Sequence, residues 1–203
     1  MKSLALLDNN DNRLQIAKNY GAEVINFDQE DPVSTIKRLT GGIGLDRVID
    51  AVGVDSNQPS QGSNQDSAQM AELFQNQRSQ IAPNTNPKGD NWHPGDGPSQ
   101  ALFWEVQSLA KAGTLGIIGV YPPSVQTFPV GIAMNKNLTI NMGNCNHRKY
   151  LPELIDLVMS GDLKLQEHIT QKIDFNDIIS AYEAFDRRES GWVKVMLEPN
   201  KSR

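Results

Sequence analysis

The chain opens with a short apolar run that ends in an acidic residue. Leu4–Leu7 is apolar, Asp8 closes the run, and a polar stretch at 9–11 follows. Apolar residues then recur at helical spacing up to a glycine, namely Leu14, Ile16, Ala17 and Tyr20 before Gly21. This order predicts a strand, a turn and an amphipathic helix that ends at the glycine.

The same pattern repeats along the next thirty or so residues. An apolar strand is predicted at 23–27, and an acidic, proline-bearing helix start follows at 28–32. Thr40-Gly41-Gly42 ends this helix, and the run 45–53 predicts another strand that ends at a glycine. Strands that alternate with helices of this length favour parallel pairing with helices on both faces, an α/β class with a doubly wound sheet.

Residues 54–98 break the alternation. They are rich in Ser, Asn, Gln, Gly and Pro, and their composition favours an irregular or disordered insertion. One short helix is predicted inside this insertion, with Asp66 as its cap and Met70, Leu73 and Phe74 on one face.

Regular elements resume after the insertion. A helix is predicted over 100–109, closed by Ala112-Gly113, and a helix over 150–159 has Pro152 in its first turn and ends at Gly161. The remaining predicted elements are strands at 114–120, 138–143, 169–173 and 193–197, and a helix at 177–185.

Charge and composition exclude several classes of protein. The net charge is −5 and the pI is about 5.2, so no basic surface is available to neutralise nucleic-acid phosphates. No run reaches the length of a membrane span, and the N-terminus does not have the pattern of a signal peptide. Cys145 is the one cysteine, so an intrachain disulfide is impossible; we expect a buried unpaired thiol and a reducing, cytoplasmic setting.

Asp8 is the first candidate for binding chemistry. A carboxylate at the tip of a strand can accept hydrogen bonds from both hydroxyls of an adenosine ribose, and it repels a 2′-phosphate, which favours NAD over NADP. The alternative is an aspartate that caps a helix or stabilises a turn. The three histidines, His93, His147 and His168, have no paired spacing and are expected at the surface.

Several segments together resemble the C-terminal part of zinc-dependent medium-chain alcohol dehydrogenases. Within that family the likeness is to the glutathione-independent formaldehyde dehydrogenase branch, in which a comparable insertion covers the cofactor. The segments that carry the resemblance are Asp8 to Ala22, NFDQEDP at 26–32, LDRVIDAVG at 45–53, AGTLGIIGVY at 112–121, MGNCNHRKYLPELIDLV at 142–158 and the stretch 169–199.

The resemblance implies a set of cofactor-binding residues. Asp8 and Arg13 lie at the adenosine ribose, Ala51 and Val52 flank the adenine, Gly119, Val120 and Met142 approach the nicotinamide, and Lys194 reaches the pyrophosphate. Plainer alternatives are a solvated helix face for Arg13, apolar core for Ala51 and Val52, a packing glycine for Gly119 and a solvent-exposed strand lysine for Lys194.

The resemblance also implies what this chain does not carry. The glycine loop that holds the pyrophosphate and the residues that bind zinc belong to earlier parts of the family's sequence, so we expect an incomplete Rossmann sheet without its first βα unit. The expected domains are a partial NAD-binding domain at 1–160 and a catalytic-domain-type segment at 161–203. No catalytic residue and no metal ligand is expected here.

Two functions are therefore weighed. One is hydride transfer from an alcohol or hydrated aldehyde to NAD, with a weak or partial NAD site and no catalysis by this chain alone. The other is a non-catalytic nucleotide-binding or oligomerisation module that pairs with a second copy through the sheet edge near 138–143. A gene product without selected function is a third possibility. No nucleic-acid or membrane partner is expected.

Overall fold

A computed structural model describes residues 4–60, 67–82 and 93–199. Within them the chain packs as two compact units. One combines the chain up to Val24 with the chain from Asn146 onward, and the other runs from Ile25 to Cys145. The predicted helix cap Asp66 lies outside the described residues. The domain boundary at residue 160 stays a prediction.

Seven strands and seven helices are described. The strands are β1 (Ala5–Asp8), β2 (Glu23–Asn26), β3 (Leu45–Asp50), β4 (Leu109–Ile117), β5 (Thr139–Met142), β6 (Gln171–Asp174) and β7 (Val195–Glu198). The helices are α1 (Asp11–Asn19), α2 (Pro32–Leu39), α3 (Ser67–Ile81), α4 (Gln100–Ser108), α5 (Val130–Asn135), α6 (His147–Ser160) and α7 (Ile178–Asp186).

A parallel three-stranded sheet forms the centre of the unit from Ile25 to Cys145. Its order is β3-β4-β5, and Val48, Leu115 and Ile140 are in register across it. One face of the sheet packs on a core of Leu102, Val106, Leu109, Leu115, Ile117 and Ala133. The predicted α/β class with parallel strands is confirmed.

The other unit is built from shorter pieces. Glu23 N–H at the start of β2 donates to Leu4 O at 2.8 Å beside β1, and β6 pairs in parallel with β7. The Asn10 side chain caps α1 by accepting from the backbone N–H groups of Asn12 and Arg13. In this unit too the predicted strand–turn–helix start is confirmed.

The start of α2 follows the predicted chemistry. Asp31 is the N-cap, its Oδ1 accepts the Ser34 N–H at 2.7 Å, and Pro32 is the first helical residue. A proline loses nothing at this position because its missing N–H has no helical partner there.

The predicted end of α4 is wrong. The helix stops at Ser108 and passes directly into β4, whereas Ala112 and Gly113 lie within that strand. Between the pairs Leu45–Leu109 and Arg47–Thr114 the register shifts, so extra residues of β4 bulge out and Ala112 has a φ of 60°. Regular pairing begins at Thr114, where the sequence predicted the strand.

Two further expectations need correction. Cys145 is exposed rather than buried. The helix α6 begins at His147, with Asn146 as its cap, so Pro152 lies inside the helix rather than in its first turn. The Asn146 side chain accepts the Lys149 N–H and starts the helix three residues before the predicted position.

The described parts of the insertion are ordered, contrary to what their composition favours. Gly95 and Gly97 donate backbone hydrogen bonds to Val54 and Ser56 at 3.0 and 3.1 Å, which joins the two ends of the insertion. On α3, Phe74 is fully buried, and Gln77 accepts a buried hydrogen bond from the Ser99 hydroxyl at 2.9 Å. Local backbone pairing supplies order that composition does not reveal.

Lys136 fixes the junction between α4 and β4. Its ammonium group donates to the carbonyl oxygens of Val106, Gln107 and Leu109 at 2.9, 2.8 and 2.6 Å. A cation at this place satisfies carbonyls that the end of a helix leaves free. Burial lowers the pKa of Lys136, and the nearby charge of Lys37 lowers it further.

Glu105 is the titratable group of α4 on its buried side. Desolvation, reinforced by the charge of Asp50, raises the pKa of Glu105 to about 8. Its Oε2 atom has no hydrogen-bond partner among the described residues. The folded chain therefore holds this carboxyl in its protonated form at neutral pH.

No helix in the described stretches is both long and apolar enough to cross a membrane.

The first prediction concerns Lys136. Lys136→Met keeps most of the side-chain volume but leaves three carbonyls without their donor, and we expect a loss of about 2 kcal/mol in the free energy of unfolding. Lys37→Met is the matched control, since it removes a repulsive charge and is expected to be neutral or stabilising. Urea denaturation of both variants measures the difference. Equal stability of Lys136→Met and the parent chain would contradict the role of the ammonium group.

The second prediction concerns Glu105. Because the folded state raises its pKa from 4.5 to about 8, the stability that it contributes is complete below pH 4.5 and falls as the pH rises towards 8. Glu105→Gln removes this dependence, and near pH 7 we expect the variant to be about 2–3 kcal/mol more stable than the parent chain. The measurement is urea denaturation at several values of pH. A stability difference that does not change with pH would show that Glu105 does not titrate in this way.

Candidate functional site

A pocket of about 350 Å³ opens at the carboxyl ends of β3 and β4. In parallel sheets this edge is where ligands bind, because successive loops diverge there. The loop after β3 forms one wall and the loop after β4 forms the other. The lining residues are Ala51, Val52, Val54, Asp55, Ile81, Ile118, Gly119, Val120 and Pro122.

Asp50, the last residue of β3, holds both walls. Its side chain is 1% exposed, and Oδ1 accepts the N–H groups of Val52 and Gly53 at 2.8 and 3.0 Å. Its backbone oxygen accepts the N–H groups of Ile118 and Gly119 at 2.9 and 3.0 Å. One residue thus fixes the backbone of both loops.

Tyr121 adds a bond from the second loop to the same carboxylate. Its hydroxyl donates to Asp50 Oδ2 at 2.7 Å. Burial and this hydrogen bond raise the pKa of Tyr121, so the hydroxyl stays protonated and remains a donor. Burial and the nearby Asp50 also raise the pKa of Glu105, so Glu105 is protonated at neutral pH.

Two glycines allow the walls to approach each other. A Cβ on Gly53 would overlap the backbone N and O atoms of Val120, and a Cβ on Gly119 would overlap the Gly53 nitrogen. Gly53 also has a φ of 65°, which is costly for residues with a Cβ. The narrow base of the pocket therefore depends on glycine at both positions.

Four of the residues predicted from the sequence come together in this pocket. Ala51 and Val52 line one wall, and Gly119 and Val120 line the other. Met142, at the end of β5, is 68% exposed and is not among the lining residues. The binding role of these five residues stays a prediction.

Asp8 and Arg13 lie in the other compact unit and contact each other. Arg13 Nε is 3.3 Å from Asp8 Oδ2, and Asp8 Oδ1 accepts the N–H groups of Asn9 and Asn10 at 2.8 and 2.9 Å. The turn role weighed for Asp8 is therefore present. The carboxylate still has acceptor capacity left, because each oxygen has two lone pairs.

Lys194 lies just before β7 in the same unit as Asp8. Its side chain is exposed, and its backbone oxygen accepts the N–H groups of Thr170 and Gln171 at 2.9 and 3.2 Å. These bonds involve only the backbone of Lys194, and its side chain is exposed to solvent.

Several site residues were missed by the reasoning from sequence. Ile81 comes from α3 in the insertion, and its contribution to the wall follows from the pairing at Gly95 and Gly97. Asp50 was missed because an acid at the end of an apolar strand was taken as part of the strand. Tyr121 was missed because its bond to Asp50 joins residues that are distant in sequence. Their one available signal was position, since each lies where a parallel strand ends.

The described residues do not fit a zinc site. No group of three His, Cys, Asp or Glu side chains that could hold a metal ion occurs in them. His93, His147 and His168 are exposed, as is Cys145.

Comparison with known proteins supports the interpretation of the fold. Residues 4–61 match the family of zinc-binding dehydrogenases. The chain is 30% identical to the uncharacterized zinc-type alcohol dehydrogenase-like protein AdhB of Bacillus subtilis (strain 168), over 92% of this chain and 43% of that protein. It therefore spans less than half the length of this relative.

Solved structures show the same fold. The alcohol dehydrogenase TADH from Thermus sp. ATN1 superposes with a TM-score of 0.69 at 23% identity, over 98% of this chain and 44% of that one. The alcohol dehydrogenase rspB from E. coli CFT073, complexed with NADH, superposes with a TM-score of 0.62 at 21% identity, over 97% of this chain and 44% of that one.

The predicted resemblance is supported by the match of residues 4–61 and by the similarity to AdhB, while the formaldehyde dehydrogenase branch is not distinguished. Residues 4–61 are thus similar to zinc-binding dehydrogenases, and the chain as a whole is similar to part of a zinc-type alcohol dehydrogenase-like protein.

Proposed function

We propose that this chain binds the nucleotide part of NAD and belongs to an oxidoreductase that transfers hydride from an alcohol or hydrated aldehyde. The observation that carries the proposal is the pocket at the carboxyl ends of β3 and β4, where Ala51, Val52, Gly119 and Val120 meet. NAD would supply the hydride acceptor. This chain's own residues would bind and orient it.

The chemistry of the pocket suits a flat, weakly polar ring. Its walls are mostly aliphatic, and Gly119 and Val120 are among the lining residues. Apolar walls with a few fixed polar groups are typical of small-molecule sites, and a volume of about 350 Å³ lies within their usual range. A nucleobase or nicotinamide ring meets these conditions.

Asp8, in the other compact unit, is proposed by itself to bind an adenosine ribose. The free lone pairs of its carboxylate can accept both ribose hydroxyls, and the negative charge disfavours a 2′-phosphate. Arg13, 3.3 Å from Asp8 Oδ2, is proposed to lie beside the same ribose. Lys194 is proposed to reach the pyrophosphate. Its exposed ammonium group is positively charged and can donate hydrogen bonds to phosphate oxygens.

The formaldehyde dehydrogenase branch is proposed on the strength of the insertion. α3 lies in this insertion, and its Ile81 forms part of the pocket wall. Zinc chemistry is not assigned to the described residues, since they do not bring suitable ligands together. A cytoplasmic setting is proposed from the use of a single cysteine.

An oligomeric role is the second proposal. β5 stands at the end of the strand order β3-β4-β5 and has β4 as its partner among the described residues. Its free side offers backbone groups that another strand can pair with, and Met142 is exposed there. We propose that a second copy of the chain pairs at β5. Sedimentation of the chain as a monomer at all concentrations would contradict this.

The third prediction tests Asp8. Asp8→Asn keeps an acceptor for the turn but loses the charge, so we expect about a tenfold weaker affinity for adenosine, which offers both ribose hydroxyls. The affinity for 2′,3′-dideoxyadenosine should not change. Isothermal titration measures both ligands, and Asp11→Asn, an exposed acid in the first turn of α1, is the matched control. Equal losses for both ligands would show that Asp8 does not bind the diol.

The fourth prediction tests the pocket. Val52→Trp places a large side chain into the cavity, and we expect it to abolish the binding of NADH, measured by fluorescence of the nicotinamide. Val130→Trp, at an exposed valine of α5 outside the pocket, is the matched control and should bind NADH as the parent chain does. Unchanged binding by Val52→Trp would place the ligand elsewhere. The affinity of the parent chain itself is expected to be weak, with a dissociation constant well above the micromolar range.

A further inference from the structure

The carboxylate of Asp50 lies behind the pocket rather than in it. It is not among the residues that line the cavity, and its side chain is almost completely buried. A buried, charged side chain is costly unless hydrogen bonds satisfy it. Its presence at the junction of the two walls therefore calls for a reason beyond packing.

The hydrogen bonds of Asp50 have one property in common. Those of its side chain go to Val52, Gly53 and Tyr121, and those of its backbone oxygen go to Ile118 and Gly119. They end on the two loops that form the walls. The loops are also joined directly by the Val54 N–H, which donates to Val120 O at 3.1 Å.

We propose that Asp50 is the positioning residue of this pocket, which holds the loop after β3 and the loop after β4 at the separation that a bound ring requires. Asp50 does not touch the ligand in this arrangement. It acts through Val52 on one wall and Gly119 on the other. The part that concerns ligand affinity rests on the proposed nucleotide binding, whereas the part that concerns the loops does not.

The proposal assigns Asp50 a role of geometry rather than of charge. An asparagine can keep the bonds to the first loop, because its amide oxygen accepts from Val52 and Gly53. Its amide nitrogen can also contact Tyr121, although there it donates to the hydroxyl oxygen instead of accepting from the hydroxyl. An alanine reproduces none of the side-chain bonds. The pair Asp50→Asn and Asp50→Ala therefore separates hydrogen-bond geometry from both charge and mere occupancy of the site.

The first measurement needs no ligand. Hydrogen exchange of backbone amides, followed by NMR, reports the Val52 and Gly53 N–H groups directly. We expect Asp50→Ala to speed their exchange at least tenfold relative to amides in the middle of β4, and Asp50→Asn to keep it within threefold of the parent chain. Equal exchange in Asp50→Ala and the parent chain would overturn the proposal. So would equally fast exchange in both variants.

The second measurement is the affinity for NADH, by fluorescence of the nicotinamide. Asp50→Ala should weaken binding about tenfold or more, Tyr121→Phe by about threefold, and Asp50→Asn should bind as the parent chain does. Val48→Ala is the control, because it removes packing against the core in the middle of β3 and none of the hydrogen bonds of Asp50, and it should leave the affinity unchanged. If Asp50→Asn binds as weakly as Asp50→Ala, the role of geometry is refuted.

The two measurements distinguish the failure of this proposal from the failure of the proposed function. If the parent chain does not bind NADH, the nucleotide function fails, and hydrogen exchange alone decides whether Asp50 holds the loops. If Asp50→Ala does not fold, Tyr121→Phe takes its place in both measurements. It removes one bond to Asp50 Oδ2, and loss of exchange protection at Val52 and Gly53 then supports the proposal while unchanged protection and affinity overturn it.

Discussion

The buried carboxylate at the end of β3 is the constraint on which the pocket depends. Asp50 accepts bonds from the loops that follow two adjacent strands, so it converts the end of a sheet into a cavity with fixed walls. A charge in this place is stable because its oxygens are satisfied by N–H and O–H donors. The neighbouring carboxyl of Glu105 keeps its proton, which avoids a second charge beside the first.

The rest of the sheet serves this arrangement. Core residues of α4 and α5 pack on one face and hold β3, β4 and β5 in register. Lys136 closes the end of α4, from which β4 starts directly. The insertion then joins its own ends beside the pocket and brings Ile81 to the wall. Structural elements that are distant in sequence thus meet at the edge where the parallel strands end.

Most secondary-structure elements could be predicted from the sequence, whereas the interactions between distant residues could not. The periodicity of apolar residues located most strands and helices, and Asp31-Pro32 starts α2 through a local bond with a clear signature. It missed the short helix α5, and it placed the start of α6 too late because the Asn146 cap was not recognised. The junction at Ser108 was missed because it depends on Lys136, which lies almost thirty residues away. Order in the insertion was missed for the same reason, since the Gly95–Val54 pairing is invisible to composition.

We propose above all that the loops after β3 and β4 enclose a nucleotide. NMR titration of the isotope-labelled chain with NADH tests this most directly, because each backbone amide reports separately. We expect chemical-shift changes concentrated at the amides of 51–54 and 118–121, with the middle of β4 and the helix α5 unaffected. Shifts confined to other parts of the chain, or saturation by NADH without any change at those loops, would contradict it.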